Sequence, residues 1–285
     1  MSDAAGKLLR AWLLRQLDAE RGAWLDALLA ALRQDPADAT LDIALGMIPR
    51  RLGKSELALA AADLAAAGEA VADWDPRGWS LSEAARILVL CALPARGTPF
   101  AERFRALCRA ADVAELVTLY RGLPLYPEPA ALEEQVGEGL RTNMRVVFEA
   151  IAHCNPYPKA HFDDHRWNHM VLKALFIGSP LAPIQGLDAR ANPQLARIMC
   201  DFAHERWAAG RPVPFEIWRC VGPFAEGQAL DDLARVLSSG EGVERLAAAL
   251  ALAASPARRA AQLLNEMPAL AGEISGKRLT WTTLQ

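Results

Sequence analysis

Histidine and asparagine suit proton transfer, metal ligation and directed hydrogen bonding, and this chain confines them almost entirely to one stretch. Neither type occurs before Asn143. All five histidines (His153, His161, His165, His169, His204) and four of the five asparagines (Asn143, Asn155, Asn168, Asn192) then fall between Arg141 and Phe224. Helix building alone does not call for them, because Ala, Leu, Glu and Arg form helices at lower cost. A working site is therefore expected in this stretch.

His165 and His169 stand four residues apart, a spacing that puts both rings on one helix face and lets them grip a single ion. The apolar stripe Trp167, Met170, Val171 and Ala174 defines the inner face of the same helix and turns both histidines toward solvent. There is no HExxH and no third ligand is placed by sequence, so neither a metal nor another cofactor is expected. No GxSxG, P-loop or GxGxxG occurs, and no catalytic residue is assigned. Acid–base chemistry by Glu205, His204 and Lys173 is the enzymatic alternative. His204 lies on the far side of its helix from Leu195, Met199 and Phe202, toward a neighbouring helix or a groove. Arg206 shares the face of those three apolar residues. It is expected either to be a buried clamp on a carboxylate (Glu149, Asp188 or Glu205) or an anion-binding arginine at the bottom of a cleft.

The elements that position these residues read as helices. Leu25, Leu28, Leu29 and Leu32 recur at i, i+3, i+4 and i+7, as do Leu41, Ala44, Leu45 and Ile48. Phe100, Phe104, Leu107 and Cys108 repeat the pattern, then Val113, Leu116, Val117 and Tyr120. Later stripes are Met144–Val147–Phe148–Ile151 and Leu195–Ile198–Met199–Phe202, and further helices cover Leu230 to Leu237, Val243 to Leu252 and Ala257 to Leu264. Breakers separate them at Asp35-Pro36, Pro49, Gly53-Lys54-Ser55, Asp75-Pro76-Arg77-Gly78, Pro94 to Pro99 and Pro124 to Pro129. Ser55, Ser80 (with Glu83) and Asp163 read as N-caps. The NPYP turn at Asn155 to Pro158 follows a helix ending near Ala152, where Asn155 can satisfy free carbonyls or adopt the left-handed conformation. Asp188 and Arg190 can cap the next helix. No segment alternates in the manner of a strand. Short helices joined by short loops imply antiparallel pairs, stacked as an irregular α-solenoid or closed as a bundle. The chain is expected to form one all-helical domain, 1–285: an Ala/Leu-rich half (1–140), a motif-bearing core (141–224) and C-terminal helices with a polar tail (225–285).

Composition narrows the function. A formal net charge of −3 with both signs mixed gives no basic face for nucleic acid. Five widely spaced cysteines without CxxC suit free, mostly buried thiols in a reducing cytoplasm. No apolar run reaches the roughly 20 residues that span a bilayer, so no direct membrane insertion is expected.

The segments LYRGLPLYP, RTNMRVVFEAIAHCNPYP, FDDHRWNHMVLKALF, IQGLDARANPQLA and DFAHERWAAGRPVPFEIWRCVGPF resemble the EboA family. His169 departs from the glutamine more usual there. The resemblance implies an all-helical, HEAT-like protein of a bacterial gene cluster that moves secondary-metabolite precursors toward the periplasm. Companions resembling a membrane prenyltransferase, a dehydroquinate-synthase-like protein and metal-dependent TIM barrels are implied with it. The resulting expectation is a cytoplasmic, non-catalytic protein that binds a small aromatic or polyketide-like precursor, a partner protein of the same cluster, or both. Its surface would be built by Asn143, Tyr157, Asn168, Lys173, Asp188, Arg190, His204, Glu205, Arg206, Arg211 and Arg219, with Trp167, Trp207 and Trp218 as apolar walls or core. A purely structural adaptor, with an exposed apolar patch and no pocket, is the remaining alternative.

Overall fold

A computed structural model describes residues 3–93 and 98–284; residues 94–97 of the expected breaker from Pro94 to Pro99 lie outside them. Among the described residues there are seventeen α-helices, four short 3-10 turns and no strand. The one strand-like pairing is an isolated antiparallel bridge, Glu56 to Ser80. No helix among the described residues is long and apolar enough to cross a membrane. Contacts divide the chain into two compact units, Met1–Phe162 and Asp163–Gln285.

The first unit holds α1 (Asp3–Gln16), α2 (Ala19–Gln34), α3 (Asp38–Leu52), α4 (Ala61–Ala70), α5 (Leu81–Cys91), α6 (Phe100–Ala110), α7 (Val113–Arg121), α8 (Glu133–Arg141), α9 (Arg145–Ala152) and α10 (Tyr157–His161). Its centre is α5, whose sequence LSEAARILVLC is buried on nearly every side. The Ser80/Glu83 capping box starts it: Ser80 N–H donates to Glu83 at 2.7 Å and Glu83 N–H donates to the Ser80 hydroxyl at 3.2 Å. Around α5 pack α1, α3 and α7. Ser55 is not an N-cap. Its carbonyl accepts from Leu81 N–H at 2.9 Å in the bridge, and α4 begins six residues later, with Asp63 accepting the Ala60 N–H at 2.8 Å. The stripe expected on α7 also shifts, for Val113 is exposed while Thr118, Leu119 and Tyr120 face inward.

Pro49 does not end α3, which runs on to Leu52. Proline has no N–H, so the Leu45 carbonyl one turn earlier loses its helical donor. Arg86 of α5 supplies a replacement, its Nε donating to Leu45 O at 3.1 Å.

The second unit holds α11 (Asp164–Phe176), α12 (Pro193–Ala208), α13 (Ile217–Val221), α14 (Gln228–Ser239), α15 (Val243–Ala254), α16 (Arg258–Asn265) and α17 (Pro268–Ser275). Asp163 caps α11, accepting from Arg166 N–H at 2.7 Å. Asn192 caps α12 by accepting the Leu195 N–H at 2.9 Å, with Pro193 at the first helical position where its missing N–H costs nothing. Helix α15 packs on α13, α14, α16 and α17. Gly222 lets the chain after α13 approach α15 closely: a Cβ there would sit 2.6 Å from the Ala251 carbonyl oxygen.

Candidate functional site

Two helix ends and one turn of the first unit close around a cleft of about 380 Å³, within the range of small-molecule sites. The turn Asp75-Pro76-Arg77-Gly78 supplies a carboxylate and a guanidinium. Arg77 Nε lies 2.9 and 2.8 Å from the two Asp75 oxygens, and this contact holds the Asp75 carboxyl below the usual carboxylate range. The end of α7 contributes Arg121, whose Nη1 donates to Glu83 at 2.8 Å. That contact ties the negative C-terminal end of α7 to the cap of α5. The end of α9 contributes Glu149, His153 and Cys154, with Trp79, Val117, Val146 and Ala150 as apolar wall. Glu149 is paired with Arg145 at 2.6 Å.

Asn155 forms the base of this cleft and is buried. Its Nδ2 donates to Tyr120 O and Ala150 O, both at 3.0 Å, and its Oδ1 accepts the Tyr157 N–H at 3.0 Å. One amide thus satisfies carbonyls at the ends of two helices. The left-handed conformation in this turn falls on Cys154 (φ 47°).

Burial pushes the Cys154 thiol up and Asp75 adds to the effect, while Arg77 and Arg121 oppose it. The thiol is therefore the dominant form near neutrality, and the thiolate is the nucleophile. Cys154 is exposed, yet iodoacetamide at pH 7.5 should label it about several-fold more slowly than free glutathione. Cys91, Cys108 and Cys220, buried and pushed up to about 12 by desolvation, should label only on unfolding. Mass-spectrometric time courses of alkylation check both rates; labelling of Cys154 as fast as glutathione would contradict the protonated thiol.

A second cleft, of about 420 Å³, lies in the second unit between α12 and α14. His204 faces it, and its Nε2 is 2.7 Å from Asp232 Oδ2. Asp232 is buried and its other oxygen accepts from Gln228 Nε2 at 3.3 Å. Cys200 lies one turn before His204 on the same lining. Burial and then Asp232 push its thiol up to about 12, so the thiol is the dominant form near neutrality. Neither Glu205 nor Lys173 lines this cleft.

The other sequence candidates are spread over both units. Asn143 is exposed between α8 and α9. Tyr157 is buried, its hydroxyl donating to Pro129 O at 2.7 Å. Asn168, expected at a groove edge, is buried, and its amide exchanges hydrogen bonds with that of Asn192 at 3.2 and 2.9 Å. Asp188 and Arg190 do not cap α12. Asp188 makes a bidentate pair with Arg219 at 2.6 and 2.7 Å, and Arg190 pairs with Asp164 at 2.8 Å while stacking over Trp167. Lys173 is half-buried, and desolvation lowers its pKa. Glu205 and Arg211 are exposed. Arg206 is not a buried clamp on a carboxylate. It is half-exposed in the last turn of α12, donates from Nε to Pro212 O at 2.5 Å and lies over the Phe202 ring. Trp167 and Trp218 are core; Trp207 stacks on Trp218, and Arg235 lies over the Trp207 ring. His165 and His169 are exposed with rings 4.3 Å apart, and no group of three or more His, Cys, Asp or Glu that could hold a metal ion occurs among the described residues.

The spacing did not reveal Arg77, Arg121 and Glu216. Glu216 accepts the Leu181 and Ala182 N–H groups at 3.0 and 2.8 Å. With the Asp188–Arg219 pair it anchors the long loop before α12 to the start and body of α13. The available signal was chemical: a carboxylate or an arginine beside a turn.

The family model described as "Metabolite traffic protein EboA" matches residues 5–222. Every residue lining the first cleft falls inside that span, whereas the lining of the second runs beyond it from Phe224 to Asp232. Neither a curated protein nor a solved structure matches the chain.

Proposed function

The chain belongs to the EboA family of metabolite traffic proteins, and from that premise we propose that it binds a secondary-metabolite precursor and hands it on without transforming it. The supporting observation is the cleft of the first unit. Trp79, Val117 and Ala150 offer an apolar wall, and Arg77 and Arg121 carry more N–H donors than Asp75 and Glu83 take up. That combination suits a small aromatic molecule bearing a carboxylate or enolate oxygen. Three groups of the cleft are held in ways that favour binding over chemistry: the Asp75 carboxylate pairs with Arg77, Glu149 pairs with Arg145, and burial pushes the Cys154 thiol up. Transfer also needs a protein partner from the same gene cluster. We place this exchange in the cytoplasm. We further propose that the helix pairs stack in a HEAT-like manner, as α14 on α15 and α15 on α16 suggest.

One observation favours a second, enzymatic reading, namely the His204–Asp232 pair at 2.7 Å in its own cleft. It would make His204 the acid–base group on the same metabolite.

The test is a titration with 4-hydroxybenzoate, together with mass spectrometry of small molecules that co-purify with the protein. Arg77→Ala removes a charge-assisted contact worth about 1.5–3 kcal/mol, so affinity should fall about ten- to hundredfold while His204→Ala leaves it unchanged. Equal affinities of wild type and Arg77→Ala would sink the cleft as the binding site. Conversion of the co-purified molecule by wild type but not by His204→Ala would establish the enzymatic reading.

A further inference from the structure

The first unit contains another cleft, of about 290 Å³, half open to solvent and lined by α3, α5, α6 and α7. It shares no residue with the cleft above. Leu45, Leu90, Leu107 and Leu119 give it an apolar lining. Gly46 leaves one wall as bare backbone, and a Cβ built there meets nothing within 4 Å. A glycine inside a helix costs about 1 kcal/mol relative to alanine, and this one lies on the cavity lining.

The polar side of the cavity is built by one arginine. Arg86 is 13% exposed. Its Nε is fixed on the Leu45 carbonyl that Pro49 leaves without a donor, and its Nη2 on Glu115 at 2.9 Å. Glu115 is in turn fixed by the Asp112 N–H at 3.1 Å. The guanidinium is thus held rigidly, while its remaining N–H donors have no protein partner among the described residues. Asp42 and Glu115 line the same cavity, and Glu115 already neutralises the guanidinium, so a ligand carboxylate is disfavoured. Ile43 and Met47 share a face of α3 with Gly46, at i, i+3 and i+4, and they are 65% and 36% exposed. An apolar strip therefore runs from the surface to the open wall.

We propose that this cavity is a second binding site, for a neutral small molecule with an apolar body and a carbonyl or hydroxyl oxygen that Arg86 holds. The two sites of the first unit then differ in kind: the cleft at Arg77 takes an anion, and the cavity at Arg86 takes an uncharged molecule.

The probe is prodan, a neutral naphthalene ketone whose emission shifts to the blue on leaving water, with 2-naphthoate as an anion of similar body. Prodan should bind at one site per chain, and 2-naphthoate should compete at least about tenfold less well, a difference of about 1.4 kcal/mol. Gly46→Leu has room for its Cβ and better helix propensity, so its melting temperature should hold or rise while prodan affinity falls at least tenfold. Ala110→Leu, which enters from α6 at an exposed lining position, should have the same effect on binding. Both variants should bind 4-hydroxybenzoate as wild type does. Undiminished prodan binding in both folded variants would overturn the site, and 2-naphthoate competing as well as a neutral analogue would overturn its selectivity.

Discussion

Asn155→Ala should cost the first unit about 3 kcal/mol of stability, read as an earlier midpoint in urea unfolding. The side chain is buried and makes three hydrogen bonds, two to helix-end carbonyls and one from the Tyr157 N–H. Removing it leaves those backbone groups unpaired at about 1–3 kcal/mol each, and the three costs are not additive. Asn155→Asp keeps the acceptor but sets a carboxylate against two carbonyl oxygens, so its loss should be no smaller. A change below about 1 kcal/mol would mean that water takes over the amide's bonds. The turn also sets Cys154 and His153 into the cleft, so affinity at the Arg77 site should fall with stability.

Gly222→Ala should be comparably damaging in the second unit. The added Cβ would lie 2.6 Å from the Ala251 oxygen and 2.8 Å from its Cα. These are backbone atoms of α15 and cannot swing aside as a side-chain end would. Overpacking of this kind costs about 1–3 kcal/mol, and the fixed obstacle puts Gly222→Ala at the upper end. Gly46→Ala is the matched control: with nothing within 4 Å, the same substitution should stabilise by up to about 1 kcal/mol. Thermal unfolding of the two variants should shift in opposite directions. Shifts of equal sign and size would show that helix contact at Gly222 is looser than its geometry indicates.

The helices were legible because most of the unit cores are built from stripes. Leu25, Val147 and Trp167 each mark a face that the structure buries, and Ser80 and Asp163 cap helices as their spacing suggests. Ser55 misled because a serine before an apolar run is ambiguous when its backbone is drawn into a bridge, with Asp63 acting as the cap from inside the helix. Arg206 misled because periodicity assigns a face but not an end. In the last turn of α12 a long side chain reaches past its helix to Pro212 O. Val113 is the same case at a helix start. The stretch from Arg141 to Phe224 stands out in sequence for its asparagines, and Asn155, Asn168 and Asn192 hold backbone and one another. The cleft itself was not legible. Its arginines come from a turn near residue 77 and a helix end at 121, and only tertiary packing brings them to Cys154.

Pro49 has a mechanical consequence. Every other rung of a helix is held by a peptide N–H that belongs to the helix and cannot leave it. The rung at Leu45 is held by a guanidinium 41 positions away in sequence, and a side chain can be withdrawn. The last turn of α3 is therefore fastened to α5 through one side chain, so a change at residue 86 is felt in the backbone of another helix.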